Sequence, residues 1–265
     1  MVDFWSLILN ENMKIYRRVA TWIMLGFVVI MPLAMSVLFY FAAGDQDLAS
    51  NWWVMKTASQ ILFPLITIFT AVKASESVAG EFTWGTIKLL LIRPWSRSSI
   101  LLSKYISTIL FALFFTIIGF VVSLLASMAL FGYSNSATDL SQTMNSPWTY
   151  MLEFYGLQFV SLIVIVTFGF MMSSAFRSSG LAIGLSIFLL LSGNLLAALF
   201  ALADKAWVKY VMFLHLDLTS YLNGGTGPIP NQETTLGFSI AVLAVYVIIF
   251  NIVSWSVFVK RDVAA

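Results

Sequence analysis

Six long apolar runs divide the chain, at 19–44, 55–72, 105–133, 154–176, 178–203 and 234–259, with charged or polar residues between them. A helix rises about 1.5 Å per residue, so roughly 17–25 such residues cross a bilayer core. The pattern predicts an all-α integral membrane protein, a single transmembrane domain over 1–265 with six spanning helices. The second run is short, but Lys56 and Lys73 at its ends can reach the interface with their ammonium groups. Pro32 and Pro64 fall inside the first two runs, where neighbouring helices can satisfy the backbone groups a proline frees.

Residues 1–18 carry a different pattern. Asp3, Ser6, Asn10, Lys14 and Arg17 recur at helical spacing on one side, and Trp5, Ile8, Leu9 and Tyr16 on another. This predicts an amphipathic helix lying in the membrane interface, with a fraying solvated leader as the alternative. Charge extends to Arg18, and the apolar run after it is too long for a cleavable signal.

Lysines and arginines then set the expected orientation. With the amino terminus inside, Lys14, Arg17, Arg18, Lys73, Lys88, Arg93, Arg97, Lys104, Arg177, Lys260 and Arg261 are internal, leaving Lys56, Lys205 and Lys209 outside. Cytoplasmic loops carry such an excess, so both termini are expected in the cytoplasm. Outside, Trp52 and Trp53 are placed like a headgroup belt. The segment WVKYVMFLHLDLTSYL has helical character and NGGTGPIPN ends it as a turn.

The most patterned stretch is ESVAGEFTWGTIKLLLIRPWSRSSILLSK, from Glu76 to Lys104. Thr86 to Ile92 can form about two helical turns, with Ile87, Leu90 and Leu91 on one face. Pro94 stops that helix and Gly85 permits a sharp turn into it. A basic helical loop is common in multi-spanning proteins; the order of residues here is more particular. Glu81, Gly85-Thr86, Leu89-Leu90, Pro94, Arg97, Leu101 and Lys104 resemble the loop between the second and third helices of ABC-2-type permeases, the membrane subunits of a class of ATP-driven exporters. The resemblance is close in this loop and extends over the chain as helix layout. Phe82 and Thr83 depart from it, standing where many members carry further charge.

The resemblance implies that 76–98 is a coupling loop whose helix seats in an ATPase subunit. Glu81, Gly85, Thr86, Ile87, Leu90, Leu91, Pro94 and Arg97 are then the ATPase-coupling residues. It implies two ABC ATPase subunits per transporter, a second copy of this chain or a similar permease across the path, and a prokaryotic plasma membrane. It also implies short re-entrant helices in 204–233; an ordinary loop on the membrane is the alternative there.

Composition agrees with a membrane protein. The chain is 60% hydrophobic and 10% charged, with a mean hydropathy of +0.93, against roughly 25% charged in soluble domains. A net charge of +2, with its cations beside apolar runs, gives no reason to expect nucleic acid. No cysteine is present, so thiolate chemistry and Cys-based metal sites are excluded.

Little else in the sequence carries chemistry. No G-x-x-x-x-G-K-[ST] loop occurs, so the chain is expected to bind no cofactor and to be no enzyme, ATP being held by a partner. His215, the single histidine, is expected to be structural. Glu76 and Glu81 are expected to cap the coupling helix or to meet basic residues of a partner. Asn194 and Asn251 can hydrogen-bond between helices or touch substrate. Gly180 and Gly184 have the small-xxx-small spacing of close helix packing. The central parts of the spans hold no ionisable residue, unlike most proton-driven carriers.

The resulting expectation is an exporter permease moving an amphipathic substrate such as a toxin or antimicrobial peptide. The alternatives are a channel or secondary carrier needing no ATPase, and a non-transporting immunity or scaffold protein in the membrane.

Overall fold

The computed structural model describes residues 4–43, 50–87, 95–134, 146–201, 207–224, 227 and 234–260. The chain opens with α1, Phe4–Tyr16, and turns at Arg17 and Arg18 into α2, Val19–Ala43. The turn caps itself. The last carbonyls of α1 are taken by the next helix: Thr21 donates to the Ile15 carbonyl (2.6 Å) and the Trp22 indole to that of Tyr16 (2.9 Å).

Helix α3, Asn51–Glu76, starts at Ser50, whose hydroxyl accepts from the Trp53 N–H (3.3 Å). A short α4, Ala79–Thr83, follows. The longest helix, α5, Arg97–Phe131, is capped by Ser96 in the same way and ends at Gly132, whose φ of +70° suits glycine. Helix α6, Pro147–Ala175, begins on a proline, which lacks the N–H that a first turn leaves unpaired anyway. Helix α7, Ser179–Ala201, three 3₁₀ turns (Val208–Tyr210, Met212–His215 and Leu218–Gly224) and α8, Leu236–Lys260, complete the chain. Five of these helices, α2, α3, α5, α6 and α8, are long and apolar enough to cross a membrane; in α7 the stretch Ser179–Gly193 is a shorter apolar helix. The chain is a multi-pass membrane protein.

Helix α3 is the centre of the packing and touches α2, α5, α6 and α7. Its Leu62 and Ile66 lie against Gly119 of α5, and its Ala71 carbonyl and Ser75 hydroxyl against Gly169 of α6. In lipid there is no hydrophobic drive between helices, so close van der Waals approach and hydrogen bonds hold them. The bonds come from small hydroxyls. Ser59 pairs with Tyr155 (2.7 Å), Ser75 with Ser186 (2.8 Å), Tyr105 with Thr167 (2.8 Å) and Ser174 with Ser254 (2.9 Å), so α3, α5, α6, α7 and α8 are tied pairwise. Helices α2 and α8 turn large apolar side chains outward, among them Trp22, Phe27, Ile30, Ile248 and Ile252.

Three expectations are corrected here. Gly180 and Gly184 do not pack helices within the chain: both are exposed, and a Cβ on Gly184 would meet nothing within 4 Å. The close approaches use Gly119 and Gly169, because those lie on the buried faces. Asn251 donates to the Val247 carbonyl of its own helix (2.9 Å) rather than across to a neighbour; the side chain of Asn194 lies outside the described residues. Trp52 is no headgroup anchor. It is fully buried, donates to the Ser134 carbonyl (2.6 Å) and packs edge-on against Tyr133 and Trp148, while Trp53 is partly exposed.

In the segment before α8, the described residues 207–224 form neither a pair of α-helices nor a loose loop. Its 3₁₀ turns bury Val208, Met212, Leu214, His215, Leu218 and Leu222 against the bundle. His215 is the keystone: one ring nitrogen bonds the Lys209 carbonyl (2.8 Å) and the other the Ser239 hydroxyl (2.7 Å) of α8. A carbonyl can only accept, so Nε2 carries the proton and Nδ1 accepts from Ser239. Burial pushes the imidazole below its ordinary value, although the bond to Lys209 works the other way, so the ring stays neutral.

Gly169 allows a sharp test. A side chain there would meet the Ser75 hydroxyl at 3.0 Å and the Ala71 carbonyl, which is backbone, at 3.2 Å. Gly169→Leu should therefore cost about 1–3 kcal/mol or more of stability, seen as a lower unfolding temperature in detergent. Gly156→Leu, where an added Cβ would meet nothing within 4 Å, should leave that temperature unchanged. Equal effects would show that α3–α6 contact does not depend on this approach.

Candidate functional site

At the end of the bundle where α3 closes, the chain breaks after Glu76, forms the short α4 and turns again at Gly85. The Ser77 hydroxyl donates to the Ala74 carbonyl (2.7 Å), ending α3. The next two free N–H groups, of Val78 and Ala79, both point at the Ser173 hydroxyl of α6 (2.9 Å each). Helix α4 is then pinned at its far end, where Thr83 accepts from the Ser179 N–H that opens α7 (3.1 Å). Gly85 follows with φ +68°, a left-handed turn that a side chain would strain. Thr86 donates to the Glu81 carboxylate, and Ile87 buries itself in the main apolar core.

This folding brings charges together from three elements. Glu11 and Lys14 come from α1, where they share a face with the buried Leu7. Glu81 comes from α4 and Lys104 from α5. Each lysine contacts each glutamate: Lys14 to Glu11 (2.7 Å) and Glu81 (3.1 Å), Lys104 to Glu11 (2.8 Å) and Glu81 (2.9 Å). The result is a four-cornered array of alternating charge. Lys104 is 3% exposed at the side chain and Glu11 7%, so that side of the array is closed to water, while Lys14 at 40% forms its open corner. Beside it, Glu76 at the end of α3 pairs with Arg18 and, at 3.7 Å, with Lys73.

The array sets the ionisation of its members. Burial alone would raise the Glu81 carboxyl, but Lys104, the Thr86 hydroxyl and Lys14 outweigh it and hold the group down to about 2. Glu11 shows the same contest, burial against Lys104 and Lys14, and ends below the ordinary value. For Lys14, burial opposes the charge, and Glu11 and Glu81 restore and exceed it, leaving the ammonium above its ordinary value. Glu11, Glu81 and Lys14 are thereby held in their charged forms at neutral pH.

Several expected site residues therefore have internal partners. Glu76 and Glu81 are held by the chain's own cations, Glu76 by Arg18 and Lys73 and Glu81 by Lys14 and Lys104; the helix they were expected to cap lies largely outside the described residues. Arg97 donates to the Val259 carbonyl at the end of α8 (3.0 Å), a favourable place for a cation. Gly85 makes the expected turn, Thr86 is half-buried and Ile87 is buried. Leu90, Leu91 and Pro94 lie outside the described residues. Two residues were missed. Glu11 could have been found as a carboxylate one helical turn from Leu7 on the inward face of α1. Trp84, 72% exposed at the tip of the loop, had no signal beyond its type.

Removing one corner should be worse than removing a balanced pair, since a lone partner is left buried and unpaired. Lys104→Met should cost about 3–5 kcal/mol, and adding Glu11→Leu should recover a large part of it, measured as unfolding temperature in a double-mutant cycle. Additive losses would mean the array is not coupled. The sign of the pH effect follows from Glu81. Its carboxyl is depressed in the folded chain, so its contribution is full above the ordinary 4.5 and is lost as pH falls toward about 2. Unfolding temperature should drop across that window, and more shallowly in Glu81→Gln.

Comparison with known proteins places the whole chain. Residues 18–264 match the family model described as "Protein of unknown function (DUF2705)". The chain is 33% identical over 316 aligned positions to "Uncharacterized protein YhcI" of Bacillus subtilis (strain 168), covering 98% of this chain and 99% of that one. It is 28% identical over 254 positions to "Uncharacterized membrane protein YdbK" of the same organism, covering 95% and 99%. With a family model spanning nearly all of it and a full-length relative at this identity, the chain belongs to the DUF2705 family.

Proposed function

We propose that the chain is the permease subunit of an ABC-2-type exporter. In this reading α7 is the sixth span, both termini are cytoplasmic, and the charged end with α1, α4 and the loop after Gly85 faces the cytoplasm. The positive-inside distribution of lysine and arginine supports that orientation. The observation that carries the reading is the Glu76–Lys104 loop: two residues of the permease-like order, Glu81 and Lys104, meet in one ion-pair array with α1.

That geometry suits a coupling device. A loop that must move spanning helices cannot be slack. Here α4 is fastened to α6 by Ser173, to α7 by Ser179 and to α1 and α5 by the charge array. A push on the loop from an ATPase subunit would reach four helices as one body, the kind of rigid shift that switches a path between two sides. ATP would be bound and hydrolysed by two partner ATPases. A second copy or a similar permease would complete the path, with Gly180 and Gly184 on an outward face of α7 open to close approach. An apolar path without buried charge at mid-span fits an amphipathic cargo such as a toxin or antimicrobial peptide.

Co-purification tests this directly. The chain, tagged after Ala265 and extracted in mild detergent from its native membrane, should bring a stoichiometric subunit with a nucleotide-binding loop. Replacing Leu90 and Leu91 together by Asp should release that subunit and abolish transport-linked ATP hydrolysis while the chain stays folded. A chain that purifies without an ATPase under several mild conditions, and moves solute alone in liposomes, would establish the channel or carrier reading instead.

A further inference from the structure

A cavity of about 450 Å³ opens beside the charge array, between α1, the end of α3, α4 and the start of α5. Its walls include Lys14, Arg18, Lys73, Glu76, Trp84 and Thr86. We propose that it binds a phosphate group, as carried by the headgroup of an anionic lipid. The inference needs only that the chain is in a membrane and stands or falls apart from the exporter reading.

The argument is one of charge balance. In the array, Lys14 and Lys104 face Glu11 and Glu81, two against two. On the other wall Arg18 and Lys73 share the single carboxylate of Glu76, two against one. Among the described residues no further acidic side chain lines the cavity, so it carries one uncompensated positive charge. The deficit is greatest at Lys73. Its side chain is 5% exposed, and its ionic partner Glu76 lies at 3.7 Å, beyond hydrogen-bond distance. With one long ion pair at that distance, the ammonium has N–H donors to spare for a further acceptor.

A phosphodiester matches what is missing. It carries one negative charge, and its oxygens can accept from the Lys73 ammonium and in bidentate fashion from the Arg18 guanidinium. The surroundings favour a lipid as its carrier. Arg18 is at the mouth, and directly after it α2 exposes Val19, Trp22 and Ile23. On α1 the outward stripe Trp5, Leu9 and Met13 is apolar, and Trp84 projects at the rim. A headgroup entering the cavity would leave its acyl chains against apolar surface, with tryptophans at the boundary where such rings prefer to lie.

The test uses the full-length chain in a neutral detergent, titrated with phosphatidylglycerol, phosphatidylcholine of the same acyl chains, or inorganic phosphate. Bound lipid is counted by native mass spectrometry and unfolding temperature is recorded. One phosphatidylglycerol per chain should be retained and should raise the unfolding temperature; phosphatidylcholine should do so far less. Lys73→Gln removes the excess charge and should weaken retention about tenfold. Glu76→Gln raises the excess to two and should strengthen it, a change that a merely structural role would not produce. Arg17→Gln, a cation outside the cavity wall, serves as the unchanged control. If millimolar phosphate alone displaces the lipid and reproduces the stabilisation, the same site takes free phosphate; if it does neither, the lipid is the ligand. Equal retention of the two lipids, or shifts of the same sign in Lys73→Gln and Glu76→Gln, would overturn the proposal.

Discussion

Burying charge at the edge of a bilayer is tolerable only when each group meets its opposite, and that constraint organises one end of this molecule. Lys104 sits in α5, a helix otherwise built to lie in lipid, and is almost wholly enclosed. Its ammonium is matched by Glu11 from one side and Glu81 from the other. Once Lys104 is there, α1 has to lie against α5 and α4 has to fold back toward both. The N-terminal helix and the loop after α3 are thus located by the same charge. Such an array adds little net stability against an apolar replacement, but it strongly penalises every arrangement that leaves a corner alone. Its physical role is to specify where α1 and α4 go.

The membrane-embedded part is held by different means. There the contacts are van der Waals approaches at Gly119 and Gly169 and single hydrogen bonds between hydroxyls, each of modest strength. Ser173 stands where the two regimes meet: its hydroxyl sits in α6, yet it satisfies the Val78 and Ala79 N–H groups left free at the end of α3. The bundle is therefore held by many small contacts along its length and by paired charges at one end.

How much of this was readable in the sequence follows from the range of each interaction. Helices such as α2 and α8 announce themselves, because lipid exposure demands an unbroken apolar run. The ends of α3, α5 and α6 do not. They extend beyond their apolar runs to Asn51, Arg97 and Pro147, where the helix continues with polar or charged residues packed on other parts of the chain. Whether a tryptophan is a belt residue or a core residue is also invisible locally: Trp52 and Trp53 are neighbours, and partners far along the chain, Tyr133, Ser134 and Trp148, separate their fates. Gly180 and Gly184 have the spacing of packing glycines, yet which face of a helix is buried is a tertiary fact. At the candidate site the loop was visible as a charged, punctuated stretch, with Gly85 correctly the turn. Its partner Glu11 was not, because a glutamate in an amphipathic leader looks solvated until α5 supplies Lys104.

The charges at this end fall into two groups of different balance. Glu11, Glu81, Lys14 and Lys104 close on themselves and can be rigid without help. Arg18, Lys73 and Glu76 do not close, and they lie at the junction of α1, α2 and α3. A fold that needed only a fixed loop would gain from balancing this second group too. Leaving one cation over, enclosed beside a cavity and next to exposed apolar surface, makes the junction responsive to whatever anion the interface offers. The firm array takes Glu11 and Lys14 from α1, and Arg18 of the unbalanced junction follows directly on that helix. Occupation of the cavity would therefore brace the same elements that the array already holds to the loop.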